Sequence, residues 1–194
     1  MLNRSNIYPL FFAVLITTFS ILISGCVSTE TMVSNTLPYE AQQRINTSEE
    51  FDVDLEFEPH PDAETINASF AGAESSYSIN KPFAGKIEQL FRAKFGEIKE
   101  GSQNKVTVSI TDINTSSETG PPIHQLSMLV NVTVEHGGET NSRNLEFNTR
   151  IRPEDESTEY AVSYRIPPEP IEEFLMQYIV GIDSFIDSNL GIEG

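Results

Sequence analysis

The segment 51–58 alternates strictly, with Phe51, Val53, Leu55 and Phe57 on one side of an extended chain and Asp52, Asp54, Glu56 and Glu58 on the other. A two-residue period is that of a strand with one buried face. The run stops at Pro59-His60-Pro61-Asp62, and Ile66, Ala68 and Phe70 then mark a weaker strand ending near Gly72, which predicts a hairpin with the first. Three further alternating segments follow: 105–113 with Val106, Val108 and Ile110 in phase; 125–135 with Leu126, Met128, Val130, Val132 and Val134; and 144–152 with Leu145, Phe147 and Ile151. His136-Gly137-Gly138-Glu139 joins the last two as a tight turn, since glycine reaches the positive φ that such a reversal needs. A last candidate strand alternates Tyr160, Val162, Tyr164 and Ile166.

Two stretches switch to the helical period. Pro82 stands near a start, Phe83, Ile87, Leu90, Phe91 and Phe95 share one stripe, and Gly96 follows, so a helix is predicted over 82–95. After the stiff Pro167-Pro168-Glu169-Pro170, a second helix runs from about Ile171 to Leu190, with Phe174, Leu175, Tyr178, Ile179, Ile182 and Ile186 in a wide apolar stripe. Glu172 and Glu173 suit the positive end of its dipole. These elements predict an α+β fold, a two-layer sandwich with an antiparallel sheet and both helices on one of its faces.

The N-terminus follows another pattern. Residues 1–9 are polar with a positive charge at Arg4, 10–23 are apolar, and Ser24-Gly25 precede Cys26, the chain's only cysteine. An apolar helix of about 14 residues rises about 21 Å, short of a hydrocarbon core of about 30 Å, so a cleaved secretory signal fits better than a membrane span. From 27 to 49 the chain is Ser-, Thr-, Asn-, Gln- and Glu-rich without a period, and reads as a flexible tether. The resulting plan is a signal peptide at 1–25, an acylated N-terminus and tether at 26–49, and one α+β domain at 50–194.

Ile23-Ser24-Gly25-Cys26 resembles a bacterial lipobox. The resemblance implies cleavage between Gly25 and Cys26, a diacylglycerol thioether on the Cys26 sulfur, and a further acyl chain such as palmitate on its new amine. A covalent lipid of two or more chains gives stable membrane residence where one does not. In bacterial lipoproteins an aspartate directly after the cysteine favours the inner membrane; with Val27 and Ser28 there instead, the resemblance implies the outer membrane on its periplasmic side. An uncleaved inner-membrane anchor with a free thiol at its end is the alternative reading.

Charge narrows the partners. With 29 acidic against 12 basic residues the net charge is −17, so polyanions are repelled; nucleic acid is a poor partner and a basic protein is permitted. One cysteine provides no intrachain disulfide, leaving apolar burial to hold the domain.

Candidate chemistry is sparse. His60, His124 and His136 each fall in a predicted loop with no second ligand at metal spacing, so no metal or other cofactor is expected. The 52–58 carboxylates read as a solvated strand face, and Glu154-Asp155-Glu156 as an acidic loop. Nucleophile elbows, phosphate loops, dinucleotide fingerprints and zinc-protease motifs do not occur in the sequence, so no enzyme is expected; catalysis would need loop carboxylates such as Asp112 and Glu118 to meet in a cleft. Outward positions such as Thr107, Ser109, Asn131, Thr133, Glu146, Asn148 and Arg150 are wet, with Leu129 the exception, which disfavours lipid carriage on the sheet.

Element order behind a lipobox is similar to that of periplasm-facing lipoproteins of the YajG type and, more distantly, of the LptE-like and PqiC-like transport auxiliaries. That likeness spans about residues 50–190. It implies a non-enzymatic accessory or scaffold subunit of an envelope assembly, held to the membrane by its lipid and bound to an envelope protein. A lipid- or glycan-binding module is the alternative.

Overall fold

A computed structural model describes residues 28–48, 51–159 and 161–192. In chain order the elements are β1 (Ser28–Thr31), α1 (Tyr39–Gln42), β2 (Val53–Glu58), a 3-10 turn (Pro61–Ala63), β3 (Ile66–Phe70), β4 (Ala73–Tyr77), α2 (Asn80–Phe95), β5 (Asn104–Thr119), β6 (Pro122–His136), β7 (Glu139–Ile151), β8 (Glu154–Asp155), β9 (Tyr164–Arg165) and α3 (Pro168–Leu190). The fold is α+β.

The main sheet has the order β2-β5-β6-β7, and α2 and α3 lie on one face of it. Val106, Val108, Val130, Val132, Phe83, Leu90, Phe174 and Ile182 meet there in one core and are fully or almost fully enclosed. Both helical stripes therefore bury against the apolar phase of the strands, as their spacing requires. Tyr178 joins the layers: its Oη accepts from Phe147 N at 3.0 Å and donates to Met128 O.

The sheet is not wholly antiparallel, and its first strand is not part of a hairpin. β2 pairs in parallel with β5, Val53 opposite Asn104 and Glu58 opposite Ser109. The chain leaves β2, forms the β3-β4 hairpin, crosses along α2 and re-enters beside β2 in the same direction, as a helical crossover permits. β3 instead pairs with β4, a strand whose Ala73-Glu74-Ser75-Ser76-Tyr77 sequence has too weak an apolar phase to announce itself. Ala71 and Gly72, at φ 49° and 90°, make the two-residue turn between them.

Two corrections concern β5 and the last strand. β5 runs on to Thr119 and shifts register between Ile110 and Asp112, so Thr111 is an extra residue in a bulge. The inward phase therefore passes from Val106, Val108 and Ile110 to Ile113 and Ser117, which are half-buried. Of the strand expected over 160–166, Tyr160 lies outside the described residues, and among those described only Tyr164–Arg165 pairs as a strand, with Glu154–Asp155.

The segment expected to be a free tether is packed on the domain from residue 28 to 48. β1 pairs in parallel with β4, Ser28 opposite Glu74 and Thr31 opposite Tyr77. Leu37 enters the core, and Ser48 N donates to Lys94 O at 2.6 Å. Its polar composition conceals this because the segment is held mainly through backbone groups, which composition does not report.

Candidate functional site

Gly25 and Cys26, the residues of the expected cleavage and lipidation, lie outside the described residues. The described chain begins at Ser28, with the strap of residues 28–48. Thr29 Oγ1 donates to Tyr164 O at 2.9 Å and Thr31 Oγ1 to Ile166 O at 2.5 Å, fixing β1 to the segment before α3. Farther along, Gln89 on α2 accepts from Leu37 N and donates to Asn35 O, both at 2.9 Å. Lys86, wholly buried, donates to Thr36 O at 2.6 Å, and Ser34 N donates to Glu172 Oε1 at 3.0 Å. Burial lowers the Lys86 pKa, and Glu172 works against that shift.

Gly85 makes the contact possible, because a Cβ there would stand 2.8 Å from Asn35 O. A helix needs no glycine for its own sake at this position. The glycine, the buried lysine and the glutamine at 85, 86 and 89 are thus one binding face for the strap. Sequence reasoning assigned this face to helix alone; the signal available was a glycine beside a lysine within an otherwise apolar helical stripe.

The second cluster is chemical in type. His124 was expected in a loop, but it lies within β6 and is completely enclosed. Its Nε2 meets Tyr77 Oη at 2.7 Å and its Nδ1 meets Ser117 Oγ at 3.1 Å. Phe70 and Tyr77 both stand edge-on to the imidazole. Burial pushes the His124 pKa down to about 4 and the Tyr77 phenol well above its ordinary value, so both are neutral near pH 7. A serine beside a neutral imidazole has the composition of a nucleophile and base. Here the imidazole is sealed, and its two bonds run between β4 of the small sheet and β5 of the large one, so what the arrangement does is pin the sheets together.

The remaining candidates are dispersed. His60 Nδ1 accepts from Asp62 N at the 3-10 turn, and His136 Nδ1 contacts Asn104 Oδ1 at 2.8 Å. Asp112 and Glu118 are not brought together: Asp112 accepts from Asn114 and Glu118 from Gln125. The 52–58 carboxylates have partners rather than water alone, Asp52 with Lys99 at 2.6 Å, Glu56 with Lys105 at 2.7 Å, Asp54 with Gly101 N at 2.9 Å, and Glu58 with Ser109. Among the described residues, no three His, Cys, Asp or Glu side chains converge in a metal-holding arrangement.

On the sheet face away from the helices, β5, β6 and β7 form a shallow concavity of about 430 Å³ whose lining includes Asn114, Ser116, Gln125, Ser127, Asn148 and Arg150. The register sets Asn114, Ser127 and Asn148 side by side, and Ser116, Gln125 and Arg150 in the next row. Such rows offer amide and hydroxyl donors and acceptors at the inter-strand spacing of about 4.8 Å. The bulge at Thr111 brings the β5 members of those rows outward.

No known protein family matches this sequence, and no curated protein matches it. A crystal structure of a protein described as uncharacterized is similar in shape at a TM-score of 0.42 and 7% identity, with 84% of this chain and 99% of that one covered.

Proposed function

We propose that this chain is a lipid-anchored, non-enzymatic envelope protein, a periplasm-facing accessory or scaffold subunit on the outer membrane. One observation carries the reading: the lipobox-like cysteine stands two residues before a strand that is built into the domain. Cys26 and Ser28 are separated by one residue, so their Cα atoms are at most about 7.6 Å apart. An acyl chain at Cys26 would therefore set the β1 end of the domain directly at the bilayer surface. The long leash suggested by composition is largely taken up by the strap, so a partner would meet the domain at a fixed height and orientation.

Metabolic labelling with a palmitate analogue tests the anchor. The full chain should incorporate label and fractionate with membranes, Cys26→Ser should abolish both, and globomycin should retain the uncleaved precursor. Labelling that survives Cys26→Ser, or a wild-type chain without label, would refute the lipid anchor. A stoichiometric envelope protein should then co-purify with the anchored chain.

A second reading, a glycan-binding module, is favoured by the polar concavity on β5, β6 and β7. Rows of amides and hydroxyls suit a polyhydroxylated ligand. Retention of the chain on insoluble peptidoglycan, weakened by Asn148→Ala, would support this reading over the scaffold.

A further inference from the structure

β7 closes one side of the main sheet, and among the described residues no strand lies on its outer edge. The opposite edge strand, β2, is only six residues long and carries Asp54, Glu56 and Glu58. Short length and repeated charge discourage strand addition. β7, by contrast, runs for 13 residues without proline or lysine.

Tyr178 tells which residues offer their backbone to that edge. Phe147 N and Met128 O share the Tyr178 hydroxyl, so the peptide groups of Phe147 turn toward β6. Direction alternates along an antiparallel ladder. Glu146, Asn148 and Arg150 therefore turn their N–H and C=O groups outward.

We propose that two copies of this chain pair β7 with β7, antiparallel and centred on Asn148, joining their main sheets into one. In that register Glu146 stands opposite the partner's Arg150, and Arg150 opposite the partner's Glu146. Neither has an ion pair within its own chain among the described residues. Moving the centre to Glu146 or to Arg150 would set like charges face to face, which disfavours those registers. The charges on this edge are thus self-complementary, which fits a second copy of the chain, and among these three registers they favour the one centred on Asn148.

The helix side of the same edge is apolar. Phe147, Met176, Val180 and Gly181 border a groove beside β7, and Val180 is 65% exposed. In the proposed register the partner's Thr149 lies opposite Phe147, so the added strand covers the groove as it completes the ladder. The polar rows on the other face would continue across the junction. The pairing is independent of the lipid anchor.

Cross-linking of the full chain in membranes tests it. With Asn148→Cys, two Cα atoms about 5.5 Å apart across the axis are within disulfide range, so mild oxidation should give a covalent dimer. Asn144→Cys would leave its two copies roughly 27 Å apart and should give none; the parent chain, with Cys26 alone, sets the background. In the Asn148→Cys chain, Glu146→Arg or Arg150→Glu alone should lower the dimer yield about fivefold or more, and the two together should restore it. No dimer at 148, equal yield at 144, an adduct to a different protein, or failure of the double reversal to restore the yield would each overturn the proposal.

Discussion

His124 shares the even-numbered phase of Leu126, Met128 and Val130, so the alternation of β6 already pointed it inward; the prolines before it argued for a loop and concealed this. Ser117 had no such signal, because the bulge at Thr111 reverses the phase of β5 ahead of it. The pin makes a pH prediction. The folded pKa, about 4, lies below the ordinary value of 6.5, so the unfolded chain takes up the proton first. Stability from this group is fully present above about pH 6.5 and is lost as pH falls from there through about 4. Urea unfolding at pH 7 and pH 5 should show the parent losing about 1 to 2 kcal/mol more than His124→Gln, whose amide does not titrate. Equal losses would mean that the imidazole is not held neutral.

At the scale of elements, the helices and the three long strands were legible because each repeats a period over many residues. β1 and β4 were not, since Ser-Thr-Glu-Thr and Ala-Glu-Ser-Ser-Tyr carry almost no apolar alternation; β1 becomes a strand by pairing with β4, and β4 by pairing with both β1 and β3. The strap shows the same dependence. Gly85→Ala should strengthen α2 by up to about 1 kcal/mol in helix propensity while pushing Asn35 away. Hydrogen exchange should then quicken at Leu37, whose amide is bonded to Gln89, while core amides of β6 keep their protection. Unchanged exchange at Leu37 would mean that the strap yields by a few tenths of an ångström and stays in place.

At the scale of the whole molecule, Lys94 ties three parts together. Its buried ammonium lies 2.9 Å from Asp183 and 2.5 Å from Asp187 on α3, and donates to Asn46 O of the strap at 3.2 Å. Burial raises the Asp183 pKa, and the ammonium of Lys94 opposes that rise. Lys94→Met would leave two neighbouring carboxylates without their cation. An unfolding free energy lower by about 3 kcal/mol is expected, with a lower urea midpoint and faster proteolysis near Asn46. A loss below about 1 kcal/mol would show that water, not the lysine, balances those carboxylates. The same integration bears on the proposed anchor: with a lipid at Cys26, a strap held at Lys86, Gln89, Lys94 and Glu172 would give the domain an orientation as well as an attachment.

What the sequence determined by itself was local: the lipobox-like run ending in Cys26, the strand and helix periods, the acidic balance and the α+β class. Each is written in the order of neighbouring residues. Tertiary structure alone decided that β2 runs parallel to β5, that residues 28–48 are a strap, that His124 is sealed against Tyr77, and that β7 is left at an edge. Those outcomes rest on backbone hydrogen bonds and on contacts between distant segments. Such bonds use groups that nearly every residue carries, so no pattern of side chains along the chain announces them.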